Sequence, residues 1–202
     1  ARTPTATAMA AMTIDHISNG RFQLGLGVSG PQVVEGWYGQ PSNKPLARTR
    51  EYVAIVRQVL ARDAPVVLDG EHFQLPNHQE GTTGLGKPLK LITKPLRTHI
   101  PIYMGAEGPK NVRLAAEIAD GWLPMFFSPK SDQFYRDALA EGFGREGARC
   151  APEAFEVSCV VPTIVGDDVE GCADLMRPMY ALYIGGMGAR DKNFHFDVFS
   201  RL

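Results

Sequence analysis

The strongest chemical signal in this sequence lies at residues 105–111, which read Gly-Ala-Glu-Gly-Pro-Lys-Asn between an apolar run and a helix-forming run. Pro109 suits a first helical position, where a missing N–H costs nothing. Gly105 and Gly108 allow close backbone approach, and the free amides and dipole of a helix start favour a phosphate. The competing reading is an ordinary tight turn with Glu107 near the helix cap. A second junction, Gly25-Leu-Gly-Val-Ser-Gly30, matches the GxGxxG pattern of dinucleotide sites. That pattern should open a helix at once and be followed by an acid about 20 residues later at a strand end. Here residues 31–44 read as a long loop, and the residue at that distance is Glu51, inside a helical pattern. Three uses of these glycines remain open: dinucleotide binding, close strand packing, or one wall of a ligand site. Arg48 and Arg50 fall in the first turn of that later helix, where they either clamp a phosphate or pair with Glu51 or Glu35 on a solvated face.

The other polar residues offer less. The histidines at 16, 72, 78, 99 and 195 have no Cys, Asp or Glu at ligand spacing, and no metal site is expected. His16 is read as packing near a helix end, His72 as surface, and His78 and His99 as loop residues. No GxSxG nucleophile elbow occurs. Cys150, Cys159 and Cys172 are too few and too irregular for a disulfide framework, which points to cytosolic thiols. Trp37 and Tyr38 sit in a polar loop and could cover a ring-shaped ligand or pack beneath it. Trp122 reads as core.

These junctions need elements to hold them. Helical spacing runs over residues 5–17, stopped by Asn19-Gly20, and again over 45–61. A strand is expected at 21–27. A hairpin of 65–68 and 71–75 is expected around a type I′ Asp69-Gly70 turn, and a Gly/Thr loop follows at 77–87. Strand and helix then alternate: strands at 100–105, 121–127 and 155–165, helices at 109–119, 130–143 and 167–183, the last kinked or interrupted at Pro178. Such alternation specifies βαβ units and a parallel sheet, either doubly wound or closed as a barrel. The fold class is α/β, and the barrel reading is a partial TIM (β/α)8 barrel of about four to five βα units. The 202 residues are 44% hydrophobic and 21% charged, with a net charge of −1. Those values fit one folded domain and give no electrostatic case for nucleic acid or membrane as partner. No apolar stretch is long enough to span a bilayer. The start, Ala1-Arg2-Thr3-Pro4, has no Met and no signal-peptide pattern, and reads as a cut inside a longer chain, as does the end.

Several segments together resemble the luciferase-like monooxygenases. Residues 20–27 (GRFQLGLG), after a helix ending Asp15-His-Ile-Ser18, resemble the family's fourth barrel strand. Residues 46–51 (LARTRE) and 69–73 (DGEHF), then 100–109 (IPIYMGAEGP) and 119–122 (ADGW), follow in the family's order. Residues 30–39 (GPQVVEGWYG) are most similar to the branch that uses the deazaflavin coenzyme F420. The resemblance implies a bacterial luciferase-like barrel and hydride transfer between F420 and an unidentified small organic substrate. FMN-dependent monooxygenation and an NAD(P)-binding Rossmann reductase are the alternatives. It implies cofactor binding by Val28, Ser29, Arg48, Gly105, Ala106, Glu107 and Gly108. No catalytic residue is assigned, since Gly30 stands where relatives carry an acid and Glu35 lies further along. It further implies that residues 1–202 form a single incomplete barrel domain lacking strands one to three and eight, with 62–99 as an inserted hairpin and loop. The expected setting is a cytoplasmic homo-oligomer of the full-length protein. Alone, these 202 residues should be unstable and inactive, because a half barrel exposes sheet edges and apolar helix faces.

Overall fold

The structure, a computed structural model, describes residues 2–186 and 193–200. Helix α1 (Pro4–Ile17) begins where Thr3 accepts the Ala6 amide and Pro4 fills the first turn. It ends as Asn19 and Gly20 take positive φ (53° and 77°), so that the Gly20 amide returns to the Asp15 carbonyl. Strand β1 (Leu24–Gly27) follows, then the one-turn helix α2 (Pro31–Val34) and the long α3 (Pro45–Ala61). The bounds of α3 are those read from its apolar spacing. Residues 31–44 are therefore a loop interrupted by one helical turn.

The hairpin exists, but its turn differs from expectation. Strands β2 (Leu68–Asp69) and β3 (Gln74–Leu75) pair Asp69 with Gln74, leaving residues 70–73 as the loop. Neither Asp69 nor Gly70 has positive φ, so no type I′ turn forms. The cause is Glu51 on α3. Its carboxylate accepts the amides of Glu71, His72 and Phe73 at 2.9–3.0 Å and winds the loop around itself. A Cβ on Gly70 would collide with that carboxylate. Replacing Glu51 with Ala strands three amides, and we expect a loss of about 1–3 kcal/mol in urea unfolding of the intact protein.

Strands β4 (Ile102–Gly105), β5 (Gly121–Leu123) and β6 (Glu156–Val157) join β1 in one parallel sheet of order β1-β4-β5-β6. Helices α4 (Pro109–Ile118) and α5 (Asp132–Phe143) connect them. Helix α1 packs on α3, α3 on α4 and α4 on α5, so these helices form one layer in strand order. That layer covers Leu24, Ile102, Met104 and Trp122, which are buried. Among the described residues the sheet has no reversal of strand order, so there it offers no switch-point crevice of the dinucleotide-binding kind.

Two expected strands are shorter than their apolar runs. The ladder on β5 stops at Leu123 because Pro124 has no amide to give, and Phe126 turns to φ 56°. With β5 only three residues long, β6 runs out of partner after the Ser158 amide reaches the Trp122 carbonyl at 3.0 Å, and 159–166 carry no regular secondary structure. Helix α6 (Val169–Ala181) continues through Pro178 and ends in a π-helical turn, Leu182–Gly186. The helix is therefore not interrupted at Pro178 itself, and its regular α hydrogen bonding gives way one turn later. A short α7 (Phe194–Phe199) is capped by Asn193, whose Oδ1 accepts the His195 and Phe196 amides.

Candidate functional site

Parallel pairing in register decides which segments meet. Gly27 lies opposite Gly105, so the β1 end and the β4 end emerge side by side at the carboxyl edge of the sheet. Residues 28–30 and 106–108 therefore leave the same rim. In α/β folds this edge is where ligands bind. Two facing glycines leave the β1–β4 part of that edge without side chains, a strip where a planar group can lie against backbone. Val28 is half-buried, and Ser29 is exposed in a left-handed conformation (φ 60°).

The β4–α4 loop is held from below and from the side. Trp122 is 1% exposed, and its indole donates to the Ala106 carbonyl at 2.8 Å. Gly108 caps α4 with its own carbonyl, which accepts the Asn111 and Val112 amides. Among the described residues the amides of Gly108 and Lys110 donate to no backbone carbonyl, and none has an atom within 4 Å of where a Gly108 Cβ would stand. The helix start is thus open, with donors to spare.

Glu107 is the unexpected member. Its Oε1 accepts the Met125 amide at 2.9 Å, which fastens the β4–α4 loop to the loop leaving β5. Its Oε2 is buried with no hydrogen-bond partner among the described residues, as is the Oδ1 of Asn111 one turn into α4. Burial raises the Glu107 carboxyl to about 7, against the opposing pull of the Met125 amide. Neither the phosphate-binding role nor the simple cap read from the sequence anticipated this tie.

Beside it stands an aromatic cluster with no local sequence signal. Phe126 meets Tyr180, Tyr183, His195 and Phe199 at centroid distances of 5.1–5.6 Å. The residues come from three elements up to 73 positions apart, so only the fold gathers them. His195 is held below its usual value by burial, and its Nδ1 has no partner among the described residues.

The sheet face away from the helices is polar. Tyr103 donates its hydroxyl to Glu156, and Gln23 donates to Tyr103 at 3.3 Å. Burial, then Glu156, pushes Tyr103 up to about 12, so it stays a donor. Gly121 admits the Tyr103 ring, since a Cβ there would overlap it and stand 2.7 Å from the Glu156 carbonyl. At the opposite, amino edge of the sheet, Asp120 accepts the Ile102 amide and Arg57 through one oxygen, while His99 and Arg149 reach the other. Burial works to raise the Asp120 pKa, but the Ile102 amide and Arg57 outweigh it and hold the carboxyl low. This edge of an α/β layer serves stability.

The remaining sequence candidates disperse. Arg48 donates to the Pro41 carbonyl at 2.6 Å and lies 5.9 Å from the Phe73 ring centroid, so its guanidinium is engaged within the 31–44 loop. No hydrogen bond or ion pair joins it to the β4–α4 loop. Arg50 pairs with Glu117 on α4 through both nitrogens, neither with Glu51 nor with Glu35. Glu35 holds Ser42. His72, read as surface, is half-buried with its Nε2 unpartnered. Trp37 and Tyr38 stack on each other at 6.4 Å, with Trp37 82% exposed, so they do not pack beneath the loop. Among the described residues no group of three or more potential ligands could hold a metal, and no helix is long and apolar enough to cross a membrane.

The luciferase-like monooxygenase family model matches residues 1–198. A Mycobacterium tuberculosis protein named provisionally as a coenzyme F420-dependent oxidoreductase is 61% identical over the whole chain, which covers 58% of it. A 5,10-methylenetetrahydromethanopterin reductase of Archaeoglobus fulgidus is 34% identical over 91% of the chain and 50% of its own length. The coenzyme F420-dependent tetrahydromethanopterin reductase of Methanopyrus kandleri superposes with a TM-score of 0.74 at 24% identity, over 94% of this chain and 54% of that one. The fold is accordingly the α/β, parallel-sheet fold of luciferase-like TIM-barrel proteins. The chain spans between half and three fifths of the length of these relatives. By its sequence over nearly every residue, the chain belongs to the luciferase-like monooxygenase family.

Proposed function

We propose that the intact protein transfers hydride between coenzyme F420 and a small organic substrate, with the cofactor's phosphate at the opening of α4. The observation that carries this reading is the open start of α4, set at the carboxyl edge beside the Gly27–Gly105 strip. Two amides free of backbone partners and the positive helix end suit a phosphate, and a strip without side chains suits a planar ring. The names of the Mycobacterium and Archaeoglobus relatives support the deazaflavin over other carriers. When bound, that ring would supply the carbon that accepts or gives the hydride.

Gly105, Ala106, Glu107 and Gly108 hold the phosphate end, while Val28 and Ser29 border the ring or its chain. Arg48 acts only through the 31–44 loop, which it ties to α3 by donating to the Pro41 carbonyl. The intact protein is read as a cytoplasmic homo-oligomer in which residues 1–202 contribute one incomplete barrel domain with 62–99 inserted. The 202 residues alone would be inactive.

Binding titrations of the intact protein with F420, FMN and NADPH test the reading. F420 should bind at least roughly tenfold tighter than FMN, with no measurable NADPH affinity. Stronger FMN binding with oxygen consumption would favour monooxygenation, and NADPH alone would overturn the reading. Gly108→Glu puts a carboxylate in the open space at the helix start. It should weaken F420 roughly tenfold or more while leaving the thermal midpoint unchanged.

A further inference from the structure

We propose that His99 is an acid-sensitive latch at the amino edge of the sheet: neutral, it completes a clamp made by Arg57, Asp120 and Arg149, and protonated, it expels Arg149 and loosens the connection from α5 to β6. The inference is independent of the cofactor reading. One carboxylate serves the whole cluster. Asp120 Oδ2 accepts the Ile102 amide and Arg57 Nη2 at 2.9 and 3.0 Å, while Oδ1 faces His99 Nε2 at 3.2 Å and Arg149 Nε at 3.3 Å. The two guanidinium groups also press on the imidazole. Arg149 Nη2 lies 3.0 Å from Nδ1 and 3.3 Å from Nε2, and Arg57 Nη1 lies 3.4 Å from Nδ1. A guanidinium nitrogen has hydrogens to give and no lone pair to offer. Nε2 therefore carries its hydrogen toward the carboxylate, and a second proton must land on Nδ1, facing two donors that are both cations.

The same contacts decide which partner gives way. Arg57 is the better held: its side chain is 24% exposed, and Nη2 bonds the Ile118 carbonyl at 2.9 Å as well as Asp120. Arg149 has the longer contact with Asp120 and is 40% exposed, so it can turn into water. Its own amide donates to the Glu117 carbonyl at 2.8 Å, and that bond joins the turn at 145–150 to the end of α4. His99 is 43% exposed, so solvent protons reach it. Among the described residues, the neighbouring ionisable groups are engaged elsewhere or neutral. Arg97 pairs with Asp15, Glu117 with Arg50, and Glu156 accepts from Tyr103. Arg145 acts on Glu117 rather than on His99. Cys150 donates its thiol to the Ala119 carbonyl at 3.6 Å, and burial pushes that thiol up. Burial also holds the His99 imidazole below its usual value; Asp120 pulls the other way, and Arg149 and then Arg57 add to the lowering.

Two measurements on the intact protein test the latch. The ring-proton NMR signal of His99 should titrate with a midpoint below 6.5. Arg149→Gln removes one of the opposing cations, and the midpoint should rise. Hydrogen exchange over residues 144–151, corrected for intrinsic rate, should show protection falling roughly threefold or more between about pH 7 and pH 5. The amide of His99→Gln can accept from a guanidinium and donate to Asp120 but takes no proton, so that fall should disappear. Stability follows the same sign. A histidine held below 6.5 binds its proton more readily in the unfolded chain, so its contribution is full above 6.5 and is lost as pH falls through 6.5 toward the folded midpoint. Urea unfolding should show that loss in wild type and lack it in His99→Gln. A His99 midpoint at or above 6.5, a midpoint unmoved by Arg149→Gln, or an acid loss of protection that persists in His99→Gln overturns the proposal. The two NMR titrations decide the matter even if His99→Gln fails to fold.

Discussion

Arg97→Ala should cost about 3–5 kcal/mol, because it leaves a buried carboxylate without its cation. Asp15 is 1% exposed, deep against the last turn of α1. Its two oxygens accept from the Nε and Nη2 of Arg97 at 3.1 and 2.5 Å, and Nη2 also reaches the Phe22 carbonyl. One planar guanidinium therefore fixes the end of α1, the entry to β1 and the segment leading into β4. Arg97→Lys should recover only part of the loss, since one ammonium cannot span both carboxylate oxygens and the carbonyl in that fork. The double change Asp15→Ala with Arg97→Ala should lose less than the sum of the single changes, since most of the cost of each is the partner left charged. Urea unfolding of the four proteins completes the cycle. Additivity would show that the pair is not coupled. Two anchors of the sheet pass through this contact, so the Arg97→Ala protein should also lose cofactor affinity as its rim loosens.

Trp122→Ala is the second large effect, again about 3–5 kcal/mol, from the cavity left where the indole stood. Trp122 is buried between β5 and α5, and its ring meets Tyr135 at 5.0 Å. Its Nε1 is the partner of the Ala106 carbonyl, so the same change leaves that carbonyl unsatisfied beneath the proposed cofactor loop. Trp122→Phe separates the two contributions. It keeps most of the packing and loses the hydrogen bond, so stability should fall by about 1–2 kcal/mol. Cofactor binding should fall more than that loss of global stability explains, because residues 106–108 lose their floor. Equal F420 affinity in Trp122→Phe and wild type would show that the loop is held by other means.

How much of this was legible beforehand follows from the range over which each interaction acts. The β4–α4 junction was readable because everything it needs is contiguous: an apolar run, glycines, a proline and a helix-former. The bounds of α3 were readable because apolar spacing and a leading proline are local. The turn at Asp69-Gly70 was misread for the opposite reason. Its dipeptide favours one backbone geometry, but a carboxylate from α3, 20 residues back, captures three amides and imposes another. The strand lengths at β5 and β6 were overestimated because an apolar run records burial, whereas a strand also requires a partner beside it. Arg48 and Arg50 could not be told apart in sequence, yet one turns to the Pro41 carbonyl and the other to Glu117, 67 positions away.

The order of residues alone determined the alternation of strands and helices, the caps and prolines that bound them, and the glycine and proline pattern that opens a helix at residues 105–109. These rest on hydrophobic period and backbone stereochemistry, which act within a few residues. Only the tertiary structure decided that Gly27 faces Gly105, that Asp15 meets Arg97, and that the Glu107 carboxyl is both tied to Met125 and starved of a second partner. Strand register and burial set those relations. Neither exists until distant segments pack together and exclude water from the space between them.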